Sequence, residues 1–389
     1  MTTTLSMEHP AVNEAHRPAL APLQVPERLL LGPGPSNADP TVIAAMHRQP
    51  IGHLDPAYLA MMDEVQELLR YAWQTSNSLT YPVAGTGSAA MEATLANVVE
   101  PGDRVLVAVK GYFGHRLVDM ARRYGAEVST ITKPWGQAFS LEELTAALQT
   151  HNPAVLAIVH AETSTGVRQP LEGLGAACHA QGCLLITDTV TSLGGVPIFL
   201  DGWEVDLAYS CGQKGLSCMP GISPFTMSPR AEEKLAQRKT PVTNWYLDAS
   251  LLRKYWGSER MYHHTAPVNL TYALREALRL LAEEGLAARW QRHQKTAAYF
   301  WDSLADLGLT CHVEPEFRLP TLTTVRVPDG VDAKAVSRTL LHDYNIEIGG
   351  GLGELAGQVW RIGLMGYNSQ PEKVDTLLTA LGRVLADQA

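Results

Sequence analysis

Two continuous apolar runs, Ala154-Val155-Leu156-Ala157-Ile158-Val159 and Leu184-Leu185-Ile186, are separated by a helical segment from Leu171 to Ala180. This arrangement constrains the fold more than any other feature of the chain. A strand with one wet face alternates apolar and polar residues. A short run without alternation is buried on both faces, as parallel strands between helices are. The same rhythm continues upstream. Leu59, Met62, Val65, Leu68 and Leu69 recur at helical spacing between Ala57 and Gln74, and Leu79 to Ala84 reads as a strand. Gly85-Thr86-Gly87-Ser88 follows, then a helix through Met91, Leu95 and Val98. Pro101-Gly102-Asp103 turns the chain into a buried strand, Arg104 to Val109. Gly114 to Tyr124 reads as helix, Glu127 to Thr132 as strand, and Ser140 to Gln149 as a helix opened by the capping box of Ser140 and Glu143. The alternation predicts a large α/β domain over residues 24–283, preceded by an arm at residues 1–23 that has no clean period.

The remainder changes character. A long helical stretch from about Leu270 to Leu307 leads to a strand at Leu322 to Val327, then a helix at Ala333 to Tyr344. A Gly-rich turn, a strand at Val359 to Leu364 and a helix from Pro371 complete a smaller α+β domain, residues 284–389. A length of 389 residues suits two domains, and 46% apolar content leaves ample material for cores. Forty acidic against 31 basic residues give a formal charge of −9, which argues against nucleic acid as a partner but allows a local basic pocket. No apolar run is long enough to span a membrane. The five cysteines form no C-x-x-C pair and read as reduced thiols. Glu8 and Glu14 precede the first basic residue, Arg17, which is not a secretory pattern, and Asp387-Gln388-Ala389 is not a peroxisomal tail. The expected compartment is the cytoplasm.

Five places carry candidate chemistry. Gly85-Thr86-Gly87-Ser88-Ala89-Ala90 joins a strand to a helix, where unpaired N–H groups and the helix dipole suit a phosphate; a plain tight turn is the simpler alternative. Asp188 ends an apolar strand, at the rim where ligands bind in such sheets, although a turn residue would look the same. Lys214 follows a short strand, Asp206 to Tyr209, within Ser210-Cys211-Gly212-Gln213-Lys214-Gly215. A desolvated lysine loses basicity and becomes a nucleophile or base, whereas most lysines are solvated surface charges. His263 and His264 are adjacent, and in extended chain they point to opposite faces, so one shared metal ion is not expected. Arg361, between Val359-Trp360 and Ile362-Gly363, needs an anionic partner: a ligand carboxylate or a structural ion pair.

In combination these segments resemble the fold type I enzymes that use pyridoxal phosphate. More closely, the chain resembles the class V aminotransferases of the alanine–glyoxylate type. The resemblance is carried by Leu31-Gly32-Pro33-Gly34-Pro35-Ser36, Thr163-Ser164-Thr165-Gly166-Val167, Asp188-Thr189-Val190, Ser192-Leu193-Gly194-Gly195, Gln213-Lys214, Met261-Tyr262-His263-His264-Thr265 and Arg361-Ile362-Gly363. It implies a mostly parallel seven-stranded sheet and a ping-pong transamination in which alanine donates to glyoxylate. Lys214 is then implied to form the Schiff base with pyridoxal 5′-phosphate and to carry the proton. Asp188 is implied to hold the ring nitrogen, with Val190 beside it. Thr86, Gly87, Ser88 and Gln213 would sit at the phosphate, and Tyr262 and Thr265 would reach it from a second subunit, implying a homodimer. Phe113 would stack on the ring, Thr163 would bond near its 3′ oxygen, Arg361 would clamp the substrate carboxylate, and Gly34 would line the substrate pocket. Phe113, Ser88 and Thr163 stand where animal members carry Trp, His and Ser, so serine as donor, in a serine–glyoxylate or serine–pyruvate reaction, stays open beside alanine. A cysteine desulfurase-like lyase would need a mobile, exposed cysteine, and Cys311 lies in a strand-like setting. A dinucleotide-binding protein would leave Lys214, Asp188 and Arg361 without a role.

Overall fold

The computed structural model describes residues 14–387, so residues 1–13 of the arm, and Gln388 and Ala389 of the C-terminal tripeptide, lie outside the described residues. The apolar runs are strands of one sheet. In chain order these are β1 (Leu79–Ala84), β2 (Arg104–Val109), β3 (Glu127–Thr132), β4 (Val155–Val159), β5 (Leu184–Asp188), β6 (Leu207–Tyr209) and β7 (Ile222–Met227). Their spatial order is β1-β7-β6-β5-β4-β2-β3. From β6 to β3 every pairing is parallel, while β7 runs antiparallel to both β6 and β1.

The lack of alternation has the cause that the runs suggest. Val105, Val107, Val155, Ala157, Leu184, Ile186 and Tyr209 face one buried cluster, while Leu106, Ala108, Leu156, Ile158, Leu185 and Ala208 face another. Helices cover both faces, so both parities are apolar. The helices used below are α1 (Pro56–Trp73), α2 (Gly87–Val98), α3 (Tyr112–Arg123) and α4 (Leu141–His151). Ser140 caps α4 as its sequence implies: Glu143 N–H donates to Ser140 Oγ at 3.2 Å, and Ser140 N–H donates to Glu143 Oε2 at 2.8 Å.

Three expectations change. The long helical stretch is two helices, α5 (Val268–Glu284) and α6 (Leu286–Leu304), broken at Gly285, whose φ of +79° lies in the left-handed region. The helix expected from Leu171 starts only at Leu174, after Gly173 at φ +77°. Strand β7 is the third: Pro224 sits in its middle, facing Pro82 of β1, and a mid-strand proline disguises a central strand.

The C-terminal part forms a second core. Strands β8 (Leu322–Arg326), β9 (Gly349–Gly350) and β10 (Val359–Gly363) make a sheet in the order β8-β10-β9, so the Gly-rich turn contributes a strand of its own. Phe300, Val325, Trp360, Ile362 and Leu377 are buried there, and Leu31 joins them because Leu29 and Leu30 pair in parallel with Ile346 and Glu347. Among the described residues, no helix is long and apolar enough to cross a membrane.

Candidate active site

The carboxyl ends of β4, β5 and β6 open on the α2–α3 side of the sheet. Asp188 is the last residue of β5 and is 2% exposed. Its Oδ1 accepts the Val190 N–H at 2.8 Å and its Oδ2 accepts the Tyr209 hydroxyl at 2.7 Å. Burial raises its pKa from the ordinary 3.8 to about 6; the two hydrogen bonds and Lys110 pull the other way, and Glu162 adds to the rise. The backbone behind it is held in turn. The Thr189 hydroxyl donates to the Tyr209 carbonyl at 2.7 Å and accepts from the Trp73 indole N–H at 3.0 Å.

Lys214 comes from the loop after β6. Arg289 of α6 braces that loop from below, donating to the carbonyls of Gly194 and Gly215 at 2.8 Å each. The loop after Leu31 lies over it. Ser36 N–H donates to the Gln213 carbonyl at 2.9 Å, and Lys214 Nζ donates to the carbonyl of Pro33. Burial lowers the basicity of Lys214, reinforced by Arg361 and opposed by Cys211 and Asp188. Gly34, at φ +114°, is there because a Cβ would stand 2.5 Å from Lys214 Nζ.

A cavity of about 200 Å³ joins these groups. Thr86, Gly87 and Ser88 line one wall, Phe113 and Thr163 another, and Asp188, Val190, Gln213 and Lys214 the floor. Gly87 opens α2, and Thr86 at the cap makes no side-chain capping bond. The N–H groups of Gly87 and Ser88, which line the cavity, therefore have no partner within the helix, as at any helix start, whereas Ala89 N–H donates to the Thr86 carbonyl at 2.7 Å. A Cβ on Gly87 would come within 3.2 Å of Cys211 Cβ and 3.5 Å of Val190 Cγ2. Gln213 Oε1 is buried with no hydrogen-bond partner among the described residues. Arg361 on β10 is 7% exposed; its Nε donates to Gly350 O at 2.7 Å and its Nη1 to Thr163 O at 3.5 Å. It therefore adjoins Thr163 of the cavity lining, and burial lowers its pKa to about 10, with Glu162 opposing.

Nine of the expected site residues thus line one cavity, with Gly34 against Lys214 and Arg361 against Thr163. Tyr262 and Thr265 are not brought there; both are exposed, Tyr262 at 57%, beside a surface of Trp245, Tyr246 and Met261. His263 and His264 meet each other, Nδ1 to Nδ1 at 2.8 Å. Among the described residues, no cluster of three or more His, Cys, Asp or Glu side chains is arranged to hold a metal.

The sequence reading missed Tyr209, Arg116, Lys110 and Glu162. Arg116 lines the cavity, donates to Ser88 Oγ at 3.0 Å and lies 4.8 Å above the Phe113 ring. Its signal was available, because it follows Phe113 by one helical turn. Tyr209 ends β6 on the face that Asp188 uses, which only the register of β5 and β6 reveals.

Residues 29–377 match the family model for class V aminotransferases. The chain is 46% identical over 370 residues to an alanine–glyoxylate aminotransferase of Callithrix jacchus, covering 94% of this chain and 89% of that protein. It is 38% identical over 381 residues to an (S)-ureidoglycine–glyoxylate transaminase of Bacillus subtilis, covering 93% and 92%. The crystal structure of an alanine–glyoxylate aminotransferase from Nostoc sp. superposes with a TM-score of 0.96 at 70% identity, covering 96% of this chain and all of that one.

Proposed function

The chain belongs to the class V aminotransferases, and from that premise we propose that it is a pyridoxal-phosphate-dependent transaminase moving the amino group of alanine to glyoxylate, to give pyruvate and glycine. The observation that carries this reading is one cavity that joins a lysine of lowered basicity, a strand-end carboxylate and a helix start. That donor set fits pyridoxal phosphate. The free N–H groups of Gly87 and Ser88, with Thr86, Ser88 and Gln213, suit its phosphate; Asp188 suits a cationic ring nitrogen; and Phe113 offers a flat apolar wall with Val190 beside the acid. The bound cofactor supplies the electron-withdrawing ring that makes an amino acid α-proton acidic.

The chain's own groups do the rest. Lys214 Nζ would hold the cofactor covalently and, as a free amine, would carry the substrate α-proton. Its desolvation favours the neutral amine that such a carrier requires. Asp188 would keep the ring nitrogen protonated, and the Tyr209 hydroxyl stabilises the carboxylate that would do so. Thr163, on the cavity lining, would bond at the ring's 3′ oxygen. Arg361 offers its remaining N–H groups to the α-carboxylate, which donor and acceptor share, so one clamp serves both half-reactions. Close contact of Gly34 with Lys214 narrows the space at the lysine, which suits a substrate with a small side chain. We assign the exposed Tyr262 and Thr265 to the phosphate of a second copy, which makes the working unit a homodimer of two-domain subunits, with Arg361 supplied by residues 284–389. A cytoplasmic address accords with five free cysteines.

The desulfurase-like alternative meets an obstacle in Cys311. Its backbone pairs with Val325 in a β-bridge, and burial raises its pKa, the opposite of what an attacking thiolate needs. Serine as donor remains the second reading, since one added hydroxyl is weakly discriminated. A visible spectrum of the purified protein, titrated in turn with alanine, serine and glyoxylate, tests all of this. The expected outcome is a cofactor band that alanine bleaches and glyoxylate restores. A protein with no such band overturns the proposal, and a band that answers serine but not alanine moves it to serine.

A further inference from the structure

Two buried charges stand behind the cavity, and no step above uses them. Lys110 follows β2 and is 1% exposed, and Glu162 is 0% exposed. Charges inside a protein forfeit hydration and persist only in a built setting. Lys110 Nζ donates to the carbonyl of Val159. Val159 ends β4 and is the register partner of Asp188 on β5. The next residue ties the same two strands, His160 N–H donating to the Asp188 carbonyl at 3.0 Å. The ammonium is thereby fastened to the end of β4, the strand next to that of the acid.

Glu162, whose charge also acts on Lys110, is fastened by a separate set of bonds. Its Oε1 accepts the Ser164 N–H at 3.1 Å and the Ser164 hydroxyl at 2.6 Å, while Oε2 has no hydrogen-bond partner among the described residues. Ser164 Oγ accepts the Tyr112 N–H at 2.9 Å and so closes the start of α3, the helix of Phe113. A Cβ on Gly111 would collide with Glu162 and with Ser164, which is why glycine stands there. Both charges act on Asp188 with opposite sign: Glu162 disfavours its ionised form and Lys110 favours it. The other titratable groups facing Asp188 are the Tyr209 hydroxyl, the Lys214 amine and the Cys211 thiol.

We propose that Lys110 and Glu162 are opposed positioning residues for Asp188: the buried ammonium holds its carboxylate ionised, the second carboxylate works against this, and their balance sets how readily Asp188 grips a cationic ring nitrogen. The proposal rests on the pyridoxal-phosphate reading of the cavity.

The test is the pH dependence of pyridoxal phosphate binding to the cofactor-stripped protein, by equilibrium dialysis, for the wild type, Lys110→Met, Lys110→Arg and Glu162→Gln. Acidification should weaken wild-type binding as Asp188 takes up a proton. Lys110→Met should move that midpoint up by about one pH unit, Glu162→Gln should move it down by about one, and Lys110→Arg should stay near the wild type. A merely structural role would lower affinity at every pH and leave the midpoints in place, and that result overturns the proposal. Glu162→Gln is nearly isosteric and carries the test alone if Lys110→Met does not fold: a midpoint at or above the wild-type one overturns the assignment. A wild-type protein that binds no pyridoxal phosphate at any pH instead removes the cofactor reading beneath it, so the two failures are distinct.

Discussion

The Tyr209 hydroxyl donates a 2.7 Å hydrogen bond to Oδ2 of Asp188, its direct partner across β5 and β6. Both side chains are buried on the sheet face that carries the cavity. A hydrogen bond to a buried carboxylate contributes about 1.5–3 kcal/mol. Tyr209→Phe should therefore weaken pyridoxal phosphate binding roughly tenfold or more at neutral pH, with α-carboxylate recognition at Arg361 unaffected. Cofactor affinity beside the KM for alanine checks this; a parallel loss in both would contradict it.

Lys214→Ala should abolish transamination and remove the shift that the cofactor's visible band undergoes on binding. Spectra and turnover with alanine and glyoxylate are the readouts. Transamination surviving in that variant would sink the assignment of Lys214.

Gly34→Ala places a methyl group 2.5 Å from Lys214 Nζ at a backbone φ of +114°. Backbone strain of that kind costs about 1–3 kcal/mol, and the lysine must move as well. The expected result is a fall in kcat of about tenfold or more, with most of the cofactor still bound. Unchanged kcat in the purified variant would show that the close approach has no role in catalysis.

Arg361→Gln removes the fork that binds a carboxylate in two-point fashion. KM should rise about a hundredfold for alanine and glyoxylate alike, because the same group receives both. An increase for only one of the two would mean that the acids are clamped by different residues.

Asp188→Asn exchanges function for stability, with a sign that pH reveals. An acid whose pKa rises from 3.8 to about 6 on folding opposes folding at pH values above 6. That opposition fades as pH falls through 6, since the folded protein then binds the proton first. The full effect is about 3 kcal/mol, and loss of one of the two accepted hydrogen bonds offsets part of it. The cofactor-free variant should melt higher than the wild type at pH 8 by the equivalent of about 1 kcal/mol, the difference shrinking towards pH 5, while transamination is lost. A difference independent of pH would place the stabilisation elsewhere.

Periodicity and turn chemistry are local, and they were legible. The unbroken runs at Ala154–Val159 and Leu184–Ile186 announced strands covered on both faces, and Ser140 with Glu143 announced a helix start. Asp188 and Lys214 could be read because each closes or follows such a run, where parallel strands of this kind open a rim. Strand β7 was hidden because Pro224 breaks the usual pattern while its partner, Pro82, sits opposite. Pairing across strands and loops is not written in any single segment. Tyr209 meets Asp188 through register, Lys110 meets Val159 across 49 residues, and Arg361 meets Thr163 across 198. Each of these polar groups is tolerable inside the protein only because a distant segment supplies its partner. Local pattern in the chain carries the alternating elements, a candidate acid at one strand end, a candidate lysine in the loop after another, and the glycine turn between strand and helix. The tertiary structure alone decided which buried charges face one another, since that depends on strand register and on helices folding back over the sheet, and it is this convergence that tunes the acid and the amine.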